Sequence, residues 1–291
     1  MEKEDLHKAL KTTYFSILGS LILATIKMIA GVLGNSFALI ADAIESSSDV
    51  FSSLLVLLGL KYAAKPPDEN HPYGHGRIEP LVTFAVVGFL LISATYIATE
   101  SIHQIVKPHE SPKAFTLWVL GGIILYKELF YQYVLRKAKE VNSSSLKADA
   151  WHHRSDAISS LMAFIGISIS VFMGPGYETA DDWTALIASG FIVYNAYLIF
   201  RPALGDIMDE QRYPEMVEWI TQNAIQVDGV ENTEKCKVRK MGTGYIVDLH
   251  ARVNGNLTVA EGHQISHELK RFLMKNQTQI FEVHIHIEPN N

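Results

Sequence analysis

Two apolar segments of helical length each carry a pair of metal-ligand side chains four residues apart. The first pair is Glu45 and Asp49, and the second pair is His152 and Asp156. Because side chains four positions apart lie on one face of a helix, each pair forms a two-ligand face. Two such faces turned toward each other would supply three carboxylates and one imidazole. That is a complete set of four ligands for a divalent cation such as Zn²⁺.

The apolar surroundings of these acids make a structural role in packing hard to defend. An ionised carboxylate in lipid is costly unless it faces the interior of a bundle and has a partner, and a metal ion would be such a partner. Hydropathy places His152 and Asp156 nearer the cytoplasmic end of their segment than Glu45 and Asp49 are in theirs. For the two faces to meet, the fifth segment must tilt or begin deeper than its apolar run indicates.

The composition and the hydropathy pattern predict a membrane protein. The chain has 291 residues, of which 48% are hydrophobic and 19% are charged. Six apolar runs approach or exceed the length of about 20 residues that a helix needs to cross a bilayer. The runs are 12–33, 37–61, 80–103, 115–135, 148–173 and 183–203. We therefore expect a bundle of six transmembrane helices over residues 1–206 and not a soluble helical protein.

The distribution of basic residues predicts the orientation of the bundle. Lys and Arg are concentrated in the N-terminal tail and in the loops 61–79 and 136–147. Six spans place both termini on the same side, and the positive-inside rule makes that side the cytoplasm. Two lysines, Lys27 and Lys127, fall inside spans. We expect each to snorkel or to pair with a carboxylate such as Glu128, which is a structural role.

The loop between the second and third spans contains a second group of ligand-type residues. Asp68, His71 and His75 lie within eight positions, interrupted by Pro72, Gly74 and Gly76. A loop that turns this tightly can fold one carboxylate and two imidazoles around a single ion. The alternative is a loop that binds no metal, because histidines in loops are often simply solvated.

Residues 207–291 have the pattern of a separate small α/β domain. Its expected elements are a helix at 214–226, strands at 229–240 and 244–254, a helix at 258–275 and a strand at 279–288. Thr258 and Glu261 form a capping-box pattern at the start of the second helix. The order αββαβ predicts a sheet that carries its helices on one face.

Histidines are unusually frequent in this domain. His284 and His286 are two residues apart on a strand and therefore share a face, His250 is on another strand, and His263 and His267 are four apart on a helix. This pattern predicts a cytoplasmic metal cluster. The alternative is a solvated, histidine-rich surface that binds no metal. The single cysteine, Cys236, rules out a cysteine-rich zinc site.

Together these features resemble the cation diffusion facilitator family, and in particular its bacterial zinc/proton antiporters. The resemblance covers nearly the whole chain: six spans, two ligand pairs, the loop that continues into Gly76-Arg-Ile-Glu-Pro80, and the histidine-bearing C-terminal domain. It implies a homodimer in which residues 207–291 form a ferredoxin-like, metallochaperone-like domain for regulation and dimerisation.

The resemblance also implies three metal sites and one ion pair. The transport site is Glu45, Asp49, His152 and Asp156, and the loop site is Asp68, His71 and His75. The cytoplasmic cluster is His250, His263, His284 and His286, with Glu234 as a further candidate ligand. Arg77 and Asp209 take the positions of a charge interlock at the junction between membrane and cytoplasm in the dimer.

One departure from the zinc members of the family affects the expected substrate. Glu45 stands where those members have Asp or His, so the site has three carboxylates and one imidazole. Such a set is harder than two histidines with two aspartates and accepts Mn²⁺ or Fe²⁺ more readily.

The resulting expectation is a divalent metal exporter of the bacterial inner membrane, with Zn²⁺ ranked first as substrate and as a candidate regulatory ion. Mn²⁺ or Fe²⁺, and then Co²⁺ or Cd²⁺, are the alternatives. Inward proton flow would drive export, and no nucleic acid is expected as a partner. A membrane metalloenzyme is disfavoured because the chain has no His-Glu-x-x-His motif and its ligands leave no general acid or base. A membrane metal sensor that transports nothing remains a distant alternative.

Overall fold

The computed structural model describes residues 3–63, 65–107, 110–140, 144–174, 176–242 and 244–290. Within these ranges, the side chains of residues 3–16, 60, 137–140, 144–153 and 155 lie outside the described part. Six long helices come first. They are α1 (Lys3–Gly34), α2 (Phe37–Ala63), α3 (Ile78–Val106), α4 (Phe115–Glu140), α5 (Ser144–Met173) and α6 (Ala180–Ile207).

Five helices in the described part of the chain are long and apolar enough to cross a membrane. They are α2, α3, α6 and the segments Ile17–Gly34 of α1 and Asp156–Met173 of α5. The remaining long helix, α4, was also predicted as a membrane span, but it is not apolar enough to be counted with these five. Lys127 and Glu128 lie in the middle of α4 and lower its mean hydropathy.

A buried carboxylate fixes the start of α2, the helix that carries Glu45 and Asp49. Asp181, at the start of α6, accepts hydrogen bonds from the backbone N–H groups of Phe37 (2.6 Å) and Ala38 (3.2 Å) and from the Ser36 hydroxyl (3.0 Å). The first N–H groups of a helix lack partners within the helix, and a carboxylate is well suited to supply them. This contact holds the N-terminal ends of α2 and α6 together.

The C-terminal part has the predicted element order. It consists of α7 (Pro214–Ala224), β1 (Asn232–Met241), β2 (Gly244–Val253), α8 (Val259–Asn276) and β3 (Ile280–Pro289). The sheet order is β1-β2-β3, in which β2 pairs antiparallel with β1 and parallel with β3. The predicted capping box at the start of α8 is also present, since Thr258 and Glu261 each bond the other's backbone N–H group.

One face of this sheet forms the core, and the other face carries polar side chains. Val247, Leu249 and Val283 pack against Leu269 and Leu273 of α8. Because successive residues of a strand point to opposite faces, the residues that alternate with this core lie on the far side of the sheet. The helices and the polar face are therefore on opposite sides of the sheet.

The chain divides into two compact units. One contains residues 1–55 and 85–198, and the other contains residues 56–84 and 199–291. The second unit therefore includes the loop after α2 together with the end of α6 and the C-terminal domain.

Candidate metal sites

The predicted ligand faces of α2 and α5 are turned toward each other. The Ser159 hydroxyl donates to Glu45 (3.0 Å), and the Ser160 hydroxyl donates to Asp42 (2.9 Å). The two helices run antiparallel at this contact, because Asp42 precedes Glu45 on α2 while its partner Ser160 follows Ser159 on α5. Asp49 therefore lies level with the helical turn of α5 that precedes Asp156. The described parts of the two faces are therefore in contact, at Glu45 with Ser159 and at Asp42 with Ser160.

The carboxylates at the contact between α2 and α5 are close enough to interact electrostatically. Glu45 interacts electrostatically with Asp42, Asp49 and Asp156. Among the described side chains, however, these carboxylates do not form a cluster with all ligand oxygens within 4.8 Å of one another. The fourth predicted ligand, His152, lies in α5, and its side chain is outside the described residues.

The two lysines that the sequence placed within spans, Lys27 and Lys127, both form buried ion pairs, with partners that the sequence did not indicate. Lys27 Nζ lies 2.7 Å from Asp42 Oδ2, and Lys127 Nζ lies 3.0 Å from Asp156 Oδ2. Glu128, proposed from sequence as a partner for Lys127, instead accepts a hydrogen bond from Gln132. The expectation of pairing was right, but the suggested partner was wrong because an adjacent residue on a helix points to a different face.

Asp42 is a buried acid that the sequence interpretation passed over. It is 5% exposed and lies three residues before Glu45 and seven before Asp49, on the same helical face. This spacing on one helical face could have identified Asp42 from the sequence.

The loop residues Asp68, His71 and His75 converge as expected. Asp68 Oδ1 lies 3.0 Å from His71 Nδ1, and Asp68 Oδ2 lies 3.3 Å from His75 Nε2. One ligand atom from each residue lies within 4.8 Å of the other two. The His75 ring is buried and packs in a T-shaped arrangement with Tyr62, and its Nδ1 has no hydrogen-bond partner among the described residues. One carboxylate and two imidazoles in this arrangement are suited to bind a transition metal.

The electrostatics of the loop favour the metal-binding form of Asp68. Its slight desolvation acts to raise the pKa, but hydrogen bonds from the His71 side chain and backbone hold the pKa of Asp68 below its ordinary value. The carboxylate therefore stays ionised to lower pH than a free aspartate does. The pKa of Asp68 is lower in the folded state than in the unfolded state, so the ionised carboxylate stabilises the fold above the unfolded-state pKa. This stabilisation is lost as the pH falls through the folded-state pKa.

The C-terminal histidines separate into three groups within one chain. His250, His286 and Glu288 form a three-ligand cluster on the polar face of the sheet, and His250 Nδ1 lies 2.7 Å from Glu288 Oε1. His284 pairs with Asp248 at 3.0 Å. His263 lies on α8, with its Nε2 3.0 Å from that of His267.

This arrangement corrects the predicted four-histidine cluster. His263 lies on α8, which covers the core face, so the sheet separates it from the histidines of the polar face. Glu234, the further candidate ligand, is bonded to Arg252. Glu288, which the prediction omitted, takes the place of His263. Glu288 could have been predicted from the sequence, because it continues the alternation of His284 and His286 along the same strand.

The hydrogen bond from His250 holds the pKa of Glu288 below its ordinary value. Glu288 is thus ionised at neutral pH and available as a ligand.

We expect His286→Ala to weaken Zn²⁺ binding outside the membrane at least about tenfold, because it removes one of three ligands. His267→Ala, outside the cluster, is the matched control. Isothermal titration of the full-length protein in detergent provides the measurement. Equal affinities in the two variants would contradict the cluster.

An ion-pair network joins the segment that follows the loop of Asp68, His71 and His75 to the end of α6 and to β1. Arg77 is bonded to the carboxylate of Asp209 and to the main-chain carbonyl of Asp206. Lys240 of β1 lies 3.3 Å from Glu79 and 3.5 Å from Asp206. The predicted pairing of Arg77 with Asp209 is thus formed within one chain.

A close backbone approach accompanies this network. A Cβ atom on Gly76 would lie 2.7 Å from the backbone nitrogen of Gly242, in the turn between β1 and β2. The loop therefore needs glycine at this position.

The sequence of the membrane part matches a known protein family. Residues 13–208 match the model of the cation efflux transmembrane domain. The chain belongs to the cation efflux family. Residues 213–290 match the model of the cation efflux protein cytoplasmic domain. The cation efflux protein is thus a multi-pass membrane transporter of divalent metal cations, and it is not an enzyme.

Several relatives extend along the whole length of this cation efflux protein. The manganese efflux system protein MneP of Bacillus subtilis (strain 168) is 31% identical, covering 99% of this chain and 98% of the relative. The manganese efflux system protein MneS of the same organism is 33% identical, covering 99% of each. Among solved structures, a cadmium form of the MamM CTD is similar at 19% identity, with a TM-score of 0.27 over 28% of this chain and 100% of that chain.

Proposed function

We propose that the protein exports Mn²⁺ from the cytoplasm in exchange for protons, through a transport site formed by α2 and α5. The observation that carries this proposal is the meeting of an acid-rich face of α2 with the Asp156 face of α5, fixed by the contact of Ser159 with Glu45. This contact supports a shared site of Glu45, Asp49 and Asp156, to which His152, one turn away along α5, would add the fourth ligand.

The ligand chemistry supports manganese. Carboxylate oxygens are hard ligands that suit Mn²⁺, whereas imidazole and thiolate favour Zn²⁺ and the later transition metals. Three of the four proposed ligands are carboxylates. Two relatives that match along the full length are named for manganese efflux. These two arguments support Mn²⁺ over Zn²⁺, the metal expected first from the sequence.

Zn²⁺ is the second candidate substrate, with export as a zinc/proton antiporter. The observation in its favour is the single imidazole, His152, in a set of four ligands, because four N/O ligands satisfy the tetrahedral preference of zinc.

Proton exchange follows from the chemistry of the ligands. Metal binds to deprotonated carboxylates and neutral imidazole, so loading the site releases protons and protonation expels the metal. Imidazole changes charge over physiological pH, which suits His152 to this exchange. In an alternating-access cycle, the site loads from the cytoplasm and discharges on the other side as protons enter.

The remaining features are consistent with a regulated homodimer in the bacterial inner membrane. Residues 1–206 form the transport domain, and residues 207–291 form a cytoplasmic domain for regulation and dimerisation, with both chain termini in the cytoplasm. The loop residues Asp68, His71 and His75 and the cytoplasmic cluster of His250, His286 and Glu288 serve as additional metal sites. The Arg77–Asp209 pair transmits metal occupancy at these sites to the helices.

Metal flux into proteoliposomes tests the proposed function. We expect inward transport of Mn²⁺ to be faster than that of Zn²⁺, Fe²⁺, Co²⁺ or Cd²⁺, and to stop when the proton gradient is collapsed by an ionophore. Liposomes without protein are the control. Faster flux of Zn²⁺ would favour the second candidate, and flux that ignores the proton gradient would contradict antiport. The absence of flux for every metal would favour a sensor.

A further inference from the structure

Lys127 of α4 is bonded directly to one of the proposed transport ligands. Its Nζ lies 3.0 Å from Asp156 Oδ2, and the two side chains are 3% and 13% exposed. Lys127 also interacts electrostatically with Asp42 and Asp49. The protein therefore holds a cation of its own against the carboxylate that would bind the transported metal.

The other buried lysine has a different environment. Lys27 donates to Asp42 (2.7 Å), Ser46 (2.9 Å) and Ser160 (3.1 Å). An ammonium group has three N–H donors, so these three acceptors satisfy it fully. None of the three belongs to the proposed ligand set. Lys27 thus serves as a structural anchor for α1, α2 and α5.

We infer that Lys127 is a tethered competitor of the metal at Asp156, and that it sets the affinity and the release of the substrate. This inference rests on the proposed transport site. A buried carboxylate that loses its partner in a membrane is strongly destabilised. When the metal departs, the Lys127 ammonium provides the replacement partner. When the metal arrives, the two cations repel each other, and Lys127 must give up Asp156.

The formal charges agree with this role. The carboxylates of Asp42, Glu45, Asp49 and Asp156 oppose the ammonium groups of Lys27 and Lys127. Lys27 offsets the charge of Asp42, and Lys127 offsets the charge of Asp156. Without Lys127 the site has one positive charge fewer, so it attracts a divalent cation more strongly and releases it less readily.

The test replaces Lys127 by glutamine in the full-length protein. We expect Lys127→Gln to lower the Kd for Mn²⁺ about tenfold or more, and to lower both KM and Vmax for transport. Binding is measured by isothermal titration in detergent, and the isotherm of Asp49→Ala is subtracted to remove sites outside the membrane. A Kd that is unchanged or higher in Lys127→Gln would overturn the inference.

Thermal unfolding separates competition from a purely structural role. Without metal, Lys127→Gln should have a lower Tm than wild type because the buried ion pair between Lys127 and Asp156 is lost. With saturating Mn²⁺ the Tm should return close to the wild-type value, because the metal replaces the lysine. Lys27→Gln is the matched control and should lower the Tm both with and without Mn²⁺. The same pattern in Lys127→Gln would show that Lys127 is only a structural residue.

Two further variants keep the test decisive. If Lys127→Gln does not fold, Lys127→Arg takes its place. A guanidinium group holds a carboxylate by two parallel hydrogen bonds, so this variant should bind Mn²⁺ with equal or weaker affinity than wild type. Tighter binding by Lys127→Arg would overturn the inference. Wild-type binding by Asp49→Ala would instead contradict the proposed transport site, whatever the Lys127 variants show.

Discussion

Replacing Asp49 by alanine should reduce Mn²⁺ flux at least about a hundredfold, while the protein stays folded in the membrane. Loss of residues that only orient metal ligands commonly costs 10- to 100-fold, and loss of a charged ligand should exceed that range. Asp49 lies on the α2 face that carries Glu45, level with the turn before Asp156. Flux is measured in proteoliposomes, and folding is followed by size-exclusion chromatography and thermal unfolding.

The matched control for Asp49→Ala is Glu100→Gln. Glu100 is also an acid in a predicted span, but it lies near the C-terminal end of α3, where it accepts a hydrogen bond from Gln104. This variant should transport at close to the wild-type rate. Retention of more than a small fraction of flux by Asp49→Ala would remove Asp49 from the transport site.

Replacing Glu45 by histidine should shift the preference of the transporter from Mn²⁺ toward Zn²⁺. The variant site would have two imidazoles and two carboxylates, a softer set that favours zinc. We expect the ratio of Zn²⁺ flux to Mn²⁺ flux to rise about tenfold, which corresponds to about 1.4 kcal/mol in relative transition-state stability. Flux of both metals in the same liposome preparation gives this ratio directly.

Glu45→Asp is the control for the change at Glu45. It keeps the carboxylate and shortens the side chain by one methylene, so it tests reach separately from ligand type. We expect a lower rate for both metals with little change in their ratio. If Glu45→His leaves the ratio unchanged, selectivity resides in the spacing of α2 and α5 and not in ligand type.

The fold of the C-terminal domain was predictable because its signals are local. Strict alternation in residues 279–288 predicted β3 (Ile280–Pro289), and the capping pattern of Thr258 and Glu261 predicted the start of α8. Such patterns depend on the helical and strand periods, which fix the face of each residue within its own element. The long apolar runs likewise predicted the six long helices, because a membrane-spanning helix must satisfy its backbone internally.

The sequence also predicted two sets of ligands that lie close together along the chain. The loop of Asp68, His71 and His75 converges because a few tightly turned residues keep its members within reach. Glu45 and Asp49 share a face because they are one helical turn apart. In both cases the short separation along the chain keeps the side chains close together, so the sequence spacing alone predicts their proximity.

Pairings between distant segments were decided by the tertiary structure. Asp42 binds Lys27 of α1, and Asp156 binds Lys127 of α4, although local spacing offered no means of choosing these partners. The same holds for the sheet, where His250 meets His286 and Glu288 while His263 remains on the helical side. Periodicity determines which way a side chain faces within its element, but the register and the layer order of the packed elements determine what that side chain meets.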